Sequence, residues 1–210
     1  MEKAVRTVFS SYKSEKIIEK SRFITYSMHV ESEETARAFI ADVRKEHTLA
    51  THVCFAFIAD KIGNLQRFSD DGEPQGTAGV PILEVLKNKK LFETAVAVVR
   101  YFGGVKLGAG GLVRAYSSCA SENLDGADIR VLDVCAEYEI LVDYTGLDSV
   151  LKYISSQKCL LLSTDYGEKV ALKVSVKKSG ESEFISGLVD YMQGRVQSKR
   201  GAEYYAPFEE

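Results

Sequence analysis

Hydrophobic and polar residues alternate over the first part of the chain, from about residue 5 to residue 30. Val8, Ile18, Phe23 and Val30 stand among polar neighbours. Alternation with a period of two is typical of strands that bury one face. The pattern breaks around Ser10–Ser14, and a hairpin fits the segment.

From Ser32 to about His47 the spacing of apolar residues becomes helical, and Ser32 has the side chain of a helix cap. The predicted apolar face consists of Ala36, Phe39, Ile40 and Val43. A strand is predicted from His52 to Ala59, and a turn at Gly63-Asn64 leads into a partner strand that ends near Ser69.

The next segment predicts two further helices around a buried strand. Thr77 is the expected cap of the first helix, after a loop from Asp70 to Gly76. The run Ala95–Val99 is apolar and β-branched, which predicts a strand buried on both faces. A second helix is predicted from about Leu112 to Leu124, ended by Gly126.

After about residue 130 the pattern restarts and predicts the order βαββαβ. The predicted elements are a strand at 132–142, a helix at 147–156, a hairpin of strands at 160–165 and 170–176, a helix at 184–192 and a strand at 195–204. This order is the split unit of ferredoxin-like folds. We therefore predict two α+β domains, at residues 1–130 and 131–210.

Composition and charge narrow the class of protein. The 210 residues are 45% hydrophobic and 27% charged, which is ordinary for a globular protein and excludes disordered and fibrous classes. The net charge is −3, with 18 basic and 17 acidic residues through residue 130 and 9 and 13 after it. The balance excludes a uniformly positive surface but leaves room for a local basic patch on the first domain.

Cysteine usage and the opening residues predict a cytoplasmic protein. The four cysteines are far apart and lie in apolar runs, as buried reduced thiols do: Cys54, Cys119, Cys135 and Cys159. The opening residues are charged and lack the apolar stretch of a signal peptide, and no window has the ~18 apolar residues of a membrane helix. No membrane partner is expected.

A dense glycine-rich segment follows the buried strand, with Gly103, Gly104, Gly108, Gly110 and Gly111 close to Lys106 and Arg114. Backbone N–H groups at a helix start, aided by the two cations, could hold an anion such as phosphate. Tight packing of strand against helix explains the glycines equally well. The segment matches neither nucleotide-binding fingerprint, so ATP or NAD is not expected and no cofactor is assigned.

Three carboxylates stand close together at Asp70, Asp71 and Glu73. They have enough oxygens to contact Mg²⁺ or Ca²⁺, but the sequence Asp-Asp-Gly-Glu-Pro is also ordinary turn chemistry, which we favour. The carboxylates belong to the first of two distinctive sequence blocks, residues 67–86, and the second block is residues 98–117. A third alternative is a network of ion pairs with cations of the second block, namely Arg100, Lys106 or Arg114.

Histidine and aromatic residues offer weaker candidates. His52, Ser69 and Asp70 can be combined into a catalytic trio, but such a trio requires that the three side chains touch. His52 and Cys54 are only two ligands, which is too few for zinc. No catalytic or metal-ligating residue is therefore assigned, and His52 is kept as an auxiliary position. The aromatic candidates are Tyr101, Phe102 and Tyr116. They could stack on bases beside the cations, or they could belong to the core, which is the commoner case for aromatic residues next to a buried strand.

Two long strings carry a resemblance to a known family: SDDGEPQGTAGVPILEVL and VVRYFGGVKLGAGGLVRAY. Supporting matches are KSRF at Lys20–Phe23 and the segment Ala50-Thr51-His52. With these strings the chain resembles the YigZ/IMPACT family over about residues 15 to 125. Its rear part is similar to the smaller C-terminal domain of bacterial members.

The resemblance implies a fold for each domain. The first is expected to be similar to the second domain of a small-subunit ribosomal protein and to domain IV of elongation factor G. The second is expected to be ferredoxin-like, similar to domain V of that factor. Eukaryotic members regulate translation through a ribosome-associated scaffold that activates an initiation-factor kinase; bacteria lack that kinase, and the resemblance carries over no catalytic residues.

Three hypotheses of function follow. The leading one is a non-enzymatic cytoplasmic protein that binds RNA or the ribosome and modulates translation, through Arg100, Lys106, Arg114 and the glycine-rich segment; no DNA partner is expected. The second is a metal-dependent enzyme acting on a small phosphorylated or nucleotide-like substrate, with Asp70, Asp71 and Glu73 at its site. The third is a protein-interaction module.

Overall fold

A computed structural model of the chain describes residues 4–208. The outermost residues, 1–3 and 209–210, lie outside the described part, and with them half of the charged opening segment, residues 1–6, on which the expectation about a signal peptide rests. The chain forms two compact units, at 5–131 and 132–208, each with its own core. No helix among residues 4–208 is long and apolar enough to cross a membrane.

The first unit is built on an antiparallel sheet with helices on both faces. Its sheet strands are β2 (Tyr12–Ile18), β3 (Ser21–His29), β4 (His52–Ile58), β5 (Gln66–Ser69) and β6 (Thr94–Tyr101), and its helices are α1 (Glu33–Glu46), α2 (Gly79–Asn88) and α3 (Gly108–Gly126). The short strand β1 (Val5–Val8) lies in the same unit but outside this sheet. The strand order is β2-β3-β6-β4-β5. Because β6 lies at the centre, it is buried on both faces, as its uninterrupted apolar run predicts.

The two faces of this sheet carry separate apolar clusters. On one face, residues such as Ile24, Phe57 and Val99 pack with α1. On the other face, Phe23 and Val98 pack with α2 and α3. A side chain's face therefore decides whether it meets α1 or the pair α2 and α3.

The α1 helix matches its sequence pattern closely. Ser32 is its N-cap and accepts a hydrogen bond from the Thr35 N–H at 3.1 Å, while the Thr35 hydroxyl accepts one from the Ser32 N–H. Its buried residues are the four predicted from helical spacing: Ala36, Phe39, Ile40 and Val43.

The hairpin near the chain start differs from the prediction. The break predicted around Ser10–Ser14 is shorter, since β2 already begins at Tyr12. The tight turn lies at Glu19 and Lys20, which have φ values of 44° and 66°. Turns of this kind usually take glycine or asparagine, so two charged residues gave no signal for it.

Two helix starts also differ from the prediction. Thr77 does not cap α2; its hydroxyl donates to the Pro74 carbonyl at 2.6 Å, and α2 begins two residues later. The α3 helix begins at Gly108 rather than near Leu112, so its first turn is rich in glycine and mostly exposed, although glycine has a low helix propensity. Three of the five glycines of the segment are therefore helical.

The second unit has the predicted order βαββαβ. Its elements are β7 (Ile129–Val142), α4 (Leu147–Ser156), β8 (Cys159–Tyr166), β9 (Val170–Lys177), α5 (Glu181–Tyr191) and β10 (Gln197–Phe208). Strand β9 lies between β7 and β8, and β10 pairs with β7. Apolar residues of α4 and α5 pack on these strands, so the two-domain α+β prediction is confirmed.

Candidate functional site

The loop after β5 is fixed by its first carboxylate, Asp70. Its two oxygens accept hydrogen bonds from the backbone N–H groups of Gly76, Ala78 and Gly79 at 2.8–3.0 Å. Burial raises the pKa of Asp70, but these three donors outweigh burial and hold the pKa below its usual value. Asp70 thus supplies the cap of α2 that the sequence assigned to Thr77.

The second carboxylate, Asp71, ties the same loop to α1 and β4. Its Oδ1 atom accepts a hydrogen bond from the Arg44 guanidinium at 2.7 Å, and its Oδ2 atom accepts one from the Val53 N–H at 2.6 Å. The carbonyl of Asp71 accepts a bond from His52 Nδ1 at 2.8 Å. Asp71 has a φ of 45°, a left-handed conformation that these contacts hold.

The third carboxylate, Glu73, lies in the interior between the two glycine-containing blocks. Its Oε1 atom accepts hydrogen bonds from Arg100 Nη1 at 2.7 Å and from the Tyr116 hydroxyl at 2.8 Å. His52 Nε2 lies 3.9 Å from the same oxygen. The Arg100 and Glu73 side chains are only 5% and 3% exposed, so the pair is shielded from solvent.

Strand register explains why these groups meet. Arg100 on β6 is opposite His52 on β4 and Phe23 on β3, so all three occupy the face that packs on α2 and α3. Tyr116 reaches the same place from α3 and is fully buried. One of the ion pairs considered from the sequence, Glu73 with Arg100, is therefore present.

These contacts remove Arg100 from the predicted anion-binding set, because its charge is buried and already paired. They also separate the three carboxylates of the predicted metal loop, since each one meets different protein donors. Among residues 4–208, no group of three potential metal-ligating side chains lies together. Likewise, His52 contacts the backbone of Asp71 rather than the carboxylate of Asp70, so the Ser69, His52 and Asp70 trio does not assemble.

The cysteines of the described chain are free, and Cys54, Cys119 and Cys135 are buried. The Cys54 thiol lies 3.0 Å from the Asp70 carbonyl and 3.3 Å from the Tyr116 hydroxyl. Burial raises the pKa of Cys54 to about 12, which keeps it a thiol at neutral pH. Such a thiol packs and does not act as a nucleophile.

The loop between β6 and α3 has two glycines with distinct roles. A Cβ at Gly103 would lie 1.9 Å from the Lys20 carbonyl oxygen, so the loop approaches the β2–β3 turn too closely for any side chain. Gly104 has a φ of 85° with open space around it. The loop is thereby pressed against the hairpin and leaves Lys106 exposed.

A groove of about 590 Å³ lies between β2 and the start of α3. Part of its lining is apolar, from Ile18, Val105, Leu107 and Ala115, and Gly111 also borders it. The rest is charged or polar: Lys16, Glu19, Lys106, Arg114 and Ser118. The groove thus contains the two predicted cations that remain exposed.

The electrostatics of this groove favour an anion. Its lining has three cations and one carboxylate, Glu19, and of the cations Lys16 pairs with Glu122 outside the groove. Within the described chain, Lys106 and Arg114 form no ion pair. The first turn of α3 has neither an acidic residue nor a side-chain cap, so its positive dipole end is uncompensated.

The aromatic candidates are divided between core and surface. Tyr116 is buried, and the Tyr101 hydroxyl bonds to His47 Nδ1 at 2.9 Å. Phe102 is 46% exposed, and the centroid of its ring lies 5.5 Å from the central guanidinium carbon of Arg100. Phe102 is therefore the one member of the predicted trio that offers a surface ring.

Sequence reasoning missed the β2 wall of the groove. Lys16 and Ile18 of β2 border the groove opposite the predicted cations, and Ser118 of α3, also missed, borders it as well. Alternation along β2 places Lys16 and Ile18 on one face, but nothing in the sequence pairs that face with the start of α3. Their contribution depends on contacts between segments about 100 residues apart.

Comparisons with protein families match both units. The family described as "Impact N-terminal domain" matches residues 19–124. The family described as "Domain of unknown function (DUF1949)" matches residues 140–195. The first match contains β3 to β6 and almost all of α3, and with them the Glu73–Arg100 pair and most of the groove.

Individual proteins are similar over nearly the whole chain. "IMPACT family member YvyE" of Bacillus subtilis is 38% identical over 199 residues, which are 95% of this chain and 92% of that protein. "IMPACT family member YigZ" of Escherichia coli is 37% identical over 86% of this chain and 89% of that protein. A solved structure titled "Crystal structure of an hypothetical protein" has a TM-score of 0.62 and 34% identity, and the match covers 94% of this chain and 97% of that one.

Proposed function

This chain belongs to the IMPACT family, and from that premise we propose that it is a non-enzymatic cytoplasmic protein that binds RNA, free or in the ribosome, and thereby modulates translation. The contact with RNA is made by the groove between β2 and α3. The likeness to ribosomal-protein and elongation-factor domains, given above as an implication of the family resemblance, is consistent with such a partner.

One observation carries this proposal: Lys106 and Arg114 are exposed, without ion pairs in the described chain, and border the same groove. Many other surface cations of the first unit are, by contrast, paired with carboxylates, as Lys13 is with Glu46 and Arg37 is with Glu33. Unpaired cations beside a helix start are suited to phosphate oxygens. Polyanion binding needs such a local patch, since the net charge of the chain is negative.

The carboxylates that an enzymatic alternative would use support the non-enzymatic proposal. Asp70 caps α2, Asp71 joins the loop to α1 and β4, and Glu73 neutralises the buried Arg100. Each of these three carboxylates already accepts hydrogen bonds from the protein. The first block thus acts as the support that fixes the groove-bearing second block.

The test is co-sedimentation of the purified protein with ribosomes and free subunits over a salt series, with and without nuclease. We expect binding that falls steeply with salt, because phosphate contacts release counterions. Lys106→Glu and Arg114→Glu should each weaken binding and reduce the salt slope by about 1.

The matched control is Lys45→Glu, the same charge reversal at an exposed lysine in the last turn of α1, on the opposite face of the sheet. This variant should sediment as the wild type does. A wild-type protein that stays at the top of the gradient at every salt concentration contradicts the proposal. So does a Lys106→Glu variant that pellets normally.

A further inference from the structure

We infer that the groove between β2 and α3 holds one unstacked nucleotide of single-stranded RNA, with the base against its apolar lining and the phosphate between Lys106 and Arg114. The inference rests on the proposed function and deepens it, because it names the form of RNA that is recognised. It requires that the groove offer an apolar surface for the base as well as positive charge for the phosphate.

The apolar lining is the first argument. Ile18, Val105, Leu107 and Ala115 border the groove, although a site that only attracts phosphates would gain nothing from them. Ile18 and Leu107 also pack against the core of the unit, so this surface is held in place. A fixed apolar surface beside two cations matches a nucleotide, whose base has an apolar face and whose phosphate is charged.

The size of the groove is the second argument. Its volume of about 590 Å³ falls within the roughly 300–1,000 Å³ typical of small-molecule sites. A base with its sugar and phosphate is of that class, whereas a double helix is far wider. A paired base in an A-form helix stays stacked, so a duplex can offer its phosphates to the rim but no base face to the lining.

The polar lining is the third argument. The Arg114 guanidinium can stack on a base as well as pair with a phosphate. The Ser118 hydroxyl donates to the Ala115 carbonyl at 3.2 Å and can accept a bond from a base edge or a ribose 2′-hydroxyl. Glu19 lies in the same lining, and its negative charge would repel a second phosphate nearby. The groove is therefore suited to one phosphate with one nucleoside rather than to an extended run of phosphates.

The test measures fluorescence anisotropy of a labelled single-stranded RNA and of the same sequence closed into a hairpin duplex. We expect the wild type to bind the single strand at least tenfold more tightly. Ser118→Leu fills the groove without changing charge and should weaken single-strand binding roughly tenfold, in the range of one lost base contact. Its salt slope and its duplex binding should stay as in the wild type.

Val105→Gln is a second uncharged variant, in case leucine at position 118 disturbs α3, and it makes the half-buried lining at position 105 polar. Lys106→Glu reports on charge in the same assay, and Lys45→Glu is again the control. Glu19→Gln removes the opposing carboxylate and should strengthen binding several-fold. Urea unfolding of each variant checks that the fold is kept.

The outcomes separate this inference from the proposed function. If Ser118→Leu and Val105→Gln bind RNA as the wild type does while Lys106→Glu binds weakly, the nucleotide groove is wrong and polyanion binding stands. Equal affinity for single strand and duplex overturns the inference in the same way. So does displacement of the labelled RNA by polyglutamate that is as effective as displacement by unlabelled single-stranded RNA. If Lys106→Glu also binds normally, or the wild type binds neither RNA, the proposed function fails with it.

Discussion

Three buried residues, Glu73, Arg100 and Tyr116, join the two sequence blocks. Glu73 neutralises Arg100 and accepts the Tyr116 hydrogen bond, so a single carboxylate satisfies one charge and one hydroxyl. Arg100 also donates to the Ser21 hydroxyl at 3.2 Å, which in turn accepts from the Gly103 N–H at 3.3 Å. The buried pair is thus linked to the backbone of the glycine-rich loop.

Removing the charge of Glu73 should be severely destabilising. We expect Glu73→Gln to lower the free energy of unfolding by about 3–5 kcal/mol, because it leaves the buried Arg100 cation uncompensated. Urea unfolding at pH 7 measures this change.

The control for that variant is Glu84→Gln, which removes an exposed carboxylate paired with Lys87 on α2. Surface pairs of this kind contribute about 0–1 kcal/mol. Equal, small effects of the two substitutions would show that the Glu73–Arg100 pair is not shielded as described.

Residue types could be predicted from the sequence more readily than their surroundings. An ion pair between the two blocks is one of the alternatives that the sequence leaves open, but the leading hypothesis uses Arg100 as a surface cation beside Lys106. The distinction depends on β6, which is central in the sheet and buried through residue 100. A charge on such a strand has to be paired inside the protein, whereas Lys106 lies in the loop beyond it.

At the scale of elements, local signals predicted some boundaries and long-range contacts set the others. The α1 helix carries its own cap at Ser32, so its start is visible in the sequence. The α2 helix is capped by Asp70, whose bonded N–H groups are up to nine residues away. No local capping rule includes a partner at that distance.

The Asp70 cap predicts a pH dependence of stability. The folded-state pKa is held below the unfolded value of about 3.9. The carboxylate therefore contributes its full stabilisation above that value, and the contribution is lost as the pH falls through the folded pKa. We expect Asp70→Asn to cost about 1–3 kcal/mol at pH 7 and progressively less below pH ~4.

Urea unfolding of wild type and Asp70→Asn over a pH series measures the difference. Asp42→Asn, an exposed position on α1, is the control and should stay within about 0.5 kcal/mol of wild type at every pH. A difference between wild type and Asp70→Asn that is constant down to pH 2 would contradict the assigned role of the carboxylate.

At the scale of the whole molecule, the sequence predicted the class and the two α+β domains, because periodicity and composition are properties of long segments. It could not predict the groove. The walls of the groove come from β2 and from the start of α3, about 100 residues apart. The sequence predicts the start of α3 near Leu112, whereas the structure has it at Gly108, so the helix start of the predicted anion site lies about one turn earlier, beside the groove.

Charge distribution at this scale agrees with a local contact. The chain has a net charge of −3, and the segment through residue 130 carries +1. Long-range attraction to RNA is therefore expected to be weak, and the proposed binding relies on Lys106 and Arg114. Because the overall charge attracts RNA so little, the central question about this protein is where on its surface RNA is bound.

Photo-crosslinking with a single-stranded RNA that contains 4-thiouridine, followed by mass spectrometry of the digested protein, answers that question most directly. We expect crosslinked peptides from Lys16–Glu19 and Val105–Ser118, and their loss in the double variant Lys106→Glu, Arg114→Glu. Crosslinks confined to α1 or to the second unit, or unchanged crosslinks in the double variant, would contradict the account.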